Sequence, residues 1–202
     1  MLITFFIFFC KIERRRFEYY IKCMIVLAGA SASGKTEVAK VLAAKYGITK
    51  IVTTTTRDKR KGEVNGVDYF FVSKERFETM IVEDLFVEYT LYNGQMYGST
   101  KDQIANDKCV VIDPAGLRSY INLHNKNIVT FYLEADEETR HKRMILRGDD
   151  PEKIKSRIEN DRIAFKPENV AKVDYVIDAS NNKSIEEVAD QIYKKYINHH
   201  IK

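Results

Sequence analysis

Met24-Ile25-Val26-Leu27-Ala28 runs directly into Gly29-Ala30-Ser31-Ala32-Ser33-Gly34-Lys35-Thr36, and this junction decides the fold. The first part is a short apolar run of the kind that forms a parallel strand covered on both faces. The second fits G-x-x-x-x-G-K-[ST]. From Lys35 to Tyr46, Val38, Val41, Leu42 and Lys45 recur at helical spacing, and Gly47 is a suitable C-cap. Small residues between strand and helix let the backbone wrap a polyphosphate with its amide N–H groups turned inward. The helix adds its positive N-terminal end. Lys35 brings a charge to the β/γ-phosphates, and the Thr36 hydroxyl suits Mg²⁺. Gly29, Ala30, Ser31, Ala32, Ser33, Gly34, Lys35 and Thr36 are thus the candidate triphosphate cradle. A Gly-Ser turn before any helix gives a similar string; the strand before it and the helix after it favour the cradle.

The remainder reads as alternating strands and helices. Ile51 to Thr56 is β-branched and predicts a strand. Arg57 to Gly66 is charged and reads as a loop, and Val67 to Val72 as a strand. Ser73 suits the N-cap of a helix that carries Phe77, Met80 and Ile81 on one face. Phe86 to Leu91 and Gln95 to Gly98 form a hairpin pattern about Asn93-Gly94. Cys109 to Ile112 and Ile128 to Leu133 are further buried-strand runs, with helices expected at 114–124 and 136–147. Asp150-Pro151 opens another helix. Val173 to Ile177 is the last strand, and Ser184-Ile185-Glu186-Glu187 is a capping box. This order argues a doubly wound α/β core interrupted by a β-rich insert at 51–98.

A chain of 202 residues fits one domain with inserted subdomains. The net charge is +4, and most of it lies in residues 1–22, where Lys11, Arg14, Arg15, Arg16 and Lys22 face Glu13 and Glu18. The rest is near neutral, which argues against nucleic acid as a partner. Cys10, Cys23 and Cys109 are an odd, scattered set, so neither a disulfide framework nor a zinc site is expected, and a cytoplasmic setting is. Leu2 to Phe9 is apolar but too short to span a bilayer. Three readings stand for 1–23: a translated upstream stretch with Met24 as the working start, a targeting or membrane-surface segment, or an added helix. The first is favoured because Met24 opens the first core strand.

Arg57 and Arg60 lie three apart in Thr56-Arg57-Asp58-Lys59-Arg60-Lys61-Gly62-Glu63. Two guanidinium forks can neutralise a monophosphate dianion, and Tyr69 and Tyr97 can add hydroxyl donors. A solvated basic loop has the same composition. Beside a triphosphate cradle, a second anion site suggests an acceptor that itself carries phosphate.

The stretch from Thr54 to Val72 resembles the guanylate kinase signature T-T-R-x-x-R-x-G-E-x-x-G-x-D-Y-x-F-V. Phe86-Val87-Glu88-Tyr89 and Tyr97-Gly98-Ser99-Thr100 resemble the family's next two blocks, and Arg143, Arg147-Gly148 and Arg157 resemble its lid. The similarity covers about Met24 to Tyr196. It implies a P-loop parallel-sheet core (24–52, 99–146 and 167–202), a nucleotide-monophosphate-binding subdomain (53–98) and a helical lid (147–166). It implies transfer of the γ-phosphoryl group of ATP to GMP with Mg²⁺, by a monomer or homodimer with no membrane span. On this analogy Arg57, Arg60, Tyr69 and Tyr97 hold the GMP phosphate, while Thr53, Glu88, Ser99 and Asp113 face guanine. Lys35, Arg57, Arg143, Arg147 and Arg157 serve the transfer, and Thr36 ligates the metal. Guanine offers N1–H and N2–H₂ on one edge, which a carboxylate such as Glu88 accepts, while Ser99 can donate to O6.

The chain departs from the family at several points. Ala30 and Ala32 replace Pro and Gly in the cradle. Val111 replaces the first carboxylate of D-x-D, leaving Asp113. The segment between Thr100 and Cys109 is short, and so is the lid between Arg147 and Arg157. Ile177-Asp178-Ala179 replaces an Asn-Asp pair near the adenine site. Two alternatives remain: a related kinase acting on another phosphorylated acceptor, such as a ribose bisphosphate, and a non-catalytic scaffold module, against which Lys35 and Thr36 both argue.

Overall fold

The computed structural model describes residues 23–92, 94–180 and 183–199; the readings of 1–22 and of Asn93 lie outside them. Strand β1 (Met24–Ala28) is buried along its whole length. Its side chains alternate between two clusters, as a strand covered on both faces requires. Ile25 and Leu27 pack with Val38 and Leu42 of α1 (Lys35–Tyr46) and with Val188 and Ile192 of the C-terminal helix. Met24, Val26 and Ala28 pack with Leu117 and Tyr120 on the opposite face. Gly47 closes α1 in a left-handed conformation, with its N–H on the Ala43 carbonyl.

Strand β2 (Thr49–Lys50) lies at one edge of this parallel sheet. The chain then leaves for a second sheet, formed by β3 (Thr54–Thr55), β4 (Phe70–Phe71), β5 (Phe86–Tyr92) and β6 (Gln95–Thr100) in the order β4-β3-β6-β5. Helix α2 (Lys74–Val82) covers it through Phe77 and Met80, which pack on Phe86. Ser73 caps α2 by accepting the Arg76 N–H. At Gly98 any Cβ would strike the Phe86 ring at 2.7 Å, so the hairpin closes only around glycine there. After a short 3₁₀ turn at Lys101–Gln103 the chain returns to the first sheet. Strand β7 (Lys108–Ile112), α3 (Pro114–Asn122), β8 (Ile128–Glu134), α4 (Glu137–Leu146), α5 (Pro151–Ala164), β9 (Tyr175–Asp178) and α6 (Ile185–Ile197) follow. The sheet order is β2-β7-β1-β8-β9, all parallel. Asp150 caps α5, and Ser184 with Glu187 forms the expected capping box on α6. Cys23 and Cys109 are buried, and burial pushes the Cys109 thiol up to about 11. No helix among the described residues is long and apolar enough to cross a membrane.

Two expected strands are corrected. Ile51 to Thr56 is not one strand. Ile51 still donates to the Cys109 carbonyl of the core, whereas Thr54 already pairs with Gly98 of the second sheet. The residues between are the crossing, with the Val52 N–H held by the Gln103 side chain. Val67 to Val72 shrinks to Phe70–Phe71, because Val67 and Asp68 both donate to the Val64 carbonyl in a turn around Gly66 (φ 80°).

Candidate active site

The cradle follows β1 as a loop whose shape is set by three backbone positions. Gly29 has no room for a side chain: a Cβ would lie 2.6 Å from the Leu133 carbonyl oxygen and 2.8 Å from Ser33 Oγ. Ala32 adopts φ 59° and Gly34 φ 99°, both left-handed. Gly34 caps α1 without a side chain, which keeps the first-turn N–H groups turned to the loop. Lys35 Nζ donates to the carbonyls of Gly29 (2.5 Å) and Ala30 (2.8 Å). Burial lowers its pKa to about 8, an effect opposed by Asp161 and deepened slightly by Arg140. Thr36 is exposed at the mouth. Ala32, Gly34, Lys35, Thr36, Arg143 and Arg147 line a crevice of ≈ 330 Å³.

Of the residues expected on the acceptor side, Glu88, Tyr97 and Ser99 lie on strands of the second sheet and Arg57, Arg60 and Tyr69 on the loop between β3 and β4. Arg57 donates to Glu63 Oε1 at 2.7 Å and to the Asp58 carbonyl, and its guanidinium lies over the rings of Tyr69 and Phe71 at 5.4 and 5.6 Å. Tyr69 meets Tyr97 edge-on at 6.1 Å. Glu63 also accepts the Arg60 N–H, which ties the loop while the Arg60 side chain stays exposed. Thr53 is half-buried in the crossing and accepts the Phe70 N–H on its carbonyl. Across β5 and β6, Ser99 donates to Glu88 Oε1 at 2.5 Å. Burial raises the Glu88 pKa; Ser99 opposes this, and the nearby charge of Asp113 adds to it. Asp113 itself is exposed at the end of β7, where its Oδ1 caps α3 by accepting the Gly116 N–H.

The sheet register joins the two sites. Ala28 pairs with Ile112, so Gly29 and Asp113 leave the sheet side by side at the carboxyl ends of adjacent strands. That is where open α/β sheets bind ligands. The helical arginines divide into two groups. Arg143 donates to the carbonyls of Ala179 (2.8 Å) and Ala32 (3.4 Å), and burial lowers its pKa. Arg147 and Arg157 both bind Asp149, the latter at 2.9 Å, and remain about half exposed.

Residues 22–198 match the family model described as guanylate kinase. The chain belongs to the guanylate kinase family. It is 34% identical over 161 residues to the guanylate kinase of Clostridium tetani, covering 76% of each chain. It is 32% identical over 174 residues to a guanylate kinase of Thermus thermophilus, covering 83% of this chain and 77% of the relative. The crystal structure of guanylate kinase from Anaplasma phagocytophilum superposes with a TM-score of 0.64 at 25% identity, over 91% of this chain and 88% of that one.

This guanylate kinase family member holds polar groups at its site that sequence reading did not find. Asp161 of α5 accepts the backbone N–H of Ser31 at 2.9 Å and its hydroxyl at 3.2 Å, and pairs with Arg140 of α4 at 2.6 Å. The partners are separated by 130 and 21 positions, so no local pattern announces them. Tyr120 is a second case. Its helical spacing reads as core, which it is at 1% exposure, yet its hydroxyl lies beside Ser99 and Glu88 without closing a hydrogen bond.

Proposed function

We propose that the chain transfers the γ-phosphoryl group of ATP to GMP, giving ADP and GDP, across the cleft between the cradle and the second sheet. The observation that carries this reading is the half-buried Glu88 held 2.5 Å from the buried Ser99 hydroxyl, across β5 and β6 of the sheet whose strand β3 leads into the Arg57 loop. Glu88 accepts guanine N1–H and N2–H together. Ser99 turns its hydroxyl from Glu88 to O6. Adenine offers the opposite pattern and leaves the carboxylate unpaired, which a buried site penalises strongly. Arg57, Arg60, Tyr69 and Tyr97 hold the acceptor phosphate, and Thr53 and Asp113 border the base.

Transfer breaks the bond between the γ-phosphorus and the β–γ bridging oxygen and forms one to a GMP phosphate oxygen. The protein contributes alignment and charge. Lys35 and the cradle amides hold the donor from Gly29 to Thr36. Arg143 lines the same crevice. Arg147 and Arg157 exchange Asp149 for the transferring group when the lid, 147–166, closes over the cleft and shuts out water. The subdomain at 53–98 closes from the other side.

The oxygen donors here fit a divalent ion of the Mg²⁺ type. Thr36 offers a hydroxyl beside the crevice, a hard oxygen donor of the kind that Mg²⁺ takes together with substrate phosphates. Thr36 would hold the ion together with the phosphates, since Asp113 spends one oxygen on α3. When bound, Mg²⁺ neutralises charge between the β- and γ-phosphates.

The test is coupled ADP release with ATP and a panel of GMP, dGMP, AMP, UMP and ribose bisphosphate. GMP should be the preferred acceptor, and Glu88→Gln should lower kcat/KM for GMP about a hundredfold. Folded protein that makes no GMP-dependent ADP would defeat the reading, and preference for ribose bisphosphate would replace it.

A further inference from the structure

Ala32 adopts a left-handed backbone that an L-residue with a Cβ resists, and such conformations persist where their surroundings over-determine them. The surroundings here are α4 and α5. Ser31, directly before Ala32, is held at its N–H and its hydroxyl by Asp161. Arg140 binds the same carboxylate at 2.6 Å and reaches the Ser31 carbonyl at 3.4 Å. Ala32 itself packs against Met144, Ile154 and Ile158 of the same two helices. The Arg140 and Asp161 side chains are only 8% and 10% exposed.

We propose that the Arg140–Asp161 pair is a positioning device for the triphosphate cradle: it straps α4 and α5 to Ser31 and so keeps Ala32 in the left-handed shape that ATP requires. The strap does not touch the reacting atoms. With the Ser31 carbonyl turned toward Arg140, the Ala32 N–H of the same trans peptide points away from it. Lys35 feels the Asp161 charge as well, which sustains its ammonium form. Since α5 also carries Arg157, four residues before Asp161, the strap joins cradle shape to lid placement.

The inference rests on the cradle binding ATP, so the experiment separates the two. Breaking a buried ion pair by removing one member leaves a stranded charge; removing both avoids this. The double substitution Arg140→Met/Asp161→Ala should therefore retain its fold by circular dichroism and melting. It should raise the KM for ATP about fivefold to tenfold with the KM for GMP unchanged. Adding Ala32→Gly, which relaxes the left-handed position, should recover most of the loss. A folded double variant with the parental KM for ATP would overturn the proposal. So would an equal loss for both nucleotides, or a loss that the added Ala32→Gly change does not recover. Should the double variant not fold, Arg140→Met/Asp161→Leu, which also removes both charges but fills the vacated space, gives the same reading. ATP titration of the parent and of Lys35→Ala by calorimetry tests the underlying premise. If ATP binding does not depend on Lys35, the cradle reading itself fails, whatever the strap does.

Discussion

Lys35 is the residue at which stability and function pull apart. Burial among loop carbonyls lowers its pKa from 10.5 to about 8. Between those values the unfolded chain holds the proton more often than the folded one, so the contribution of this group to stability rises with pH across that window. If Lys35 holds a triphosphate as proposed, binding has the opposite dependence, because the ammonium form does the holding. The free enzyme should lose about tenfold in kcat/KM for ATP between about pH 7 and pH 9. The kcat limb should lie at higher pH, since bound phosphate restores the proton. A profile for kcat/KM that stays flat to about pH 9.5 would show that Lys35 is not desolvated in solution. The loop that holds Lys35 was legible because most of its pattern is local: Gly29 and Gly34 at its two ends, a lysine and a hydroxyl at fixed offsets; the left-handed Ala32 between them carries no such mark. Asp161 and Arg140 were not legible, because a buried pair joined across distant helices leaves no trace in the spacing of either.

Single elements were readable wherever one stretch of chain satisfied itself. The α6 capping box is closed within four residues: Ser184 accepts the Glu187 N–H and the Glu187 carboxylate accepts the Ser184 N–H. Ser184→Ala should cost about 1 kcal/mol, seen as a fall in Tm of about 2–4 °C, with steady-state rates at about 25 °C unchanged. An unaltered Tm would mean that α6 is held wholly by its packing, where Tyr193 stacks on Tyr46 of α1 at 3.7 Å. The β-branched run at 51–56 misleads for the complementary reason. Its residues do favour extended backbone, but Ile51 bonds to one sheet and Thr54 to another, and propensity carries no information about the partner. The same limit shortens the strand at 67–72, where the turn around Gly66 consumes its first half.

At the scale of the whole molecule, the described residues pass between the two sheets at 51–53 and at 101–107, and β5 leans on α3 across the gap. The proposed chemistry needs both sheets and the lid to converge on one phosphoryl group. Two of the charges that this proposal calls on, Arg147 and Arg157, are paired with Asp149. Surface-accessible pairs of this kind are worth little, so a polyanion can displace Asp149 readily. On the proposed reading, hinged closure is the expected outcome when both nucleotides are present, because neither alone spans the cleft. Hydrogen exchange measured on the protein with ATP, with GMP and with an unreactive ATP analogue plus GMP should therefore show non-additive protection. The segments at 57–66 and 147–157 should slow several-fold more with both ligands than the two single-ligand effects predict. The β1 strand, already buried on both faces, should not change. Protection that is the simple sum of the separate effects would mean that the two sites fill independently and that the cleft does not close around them.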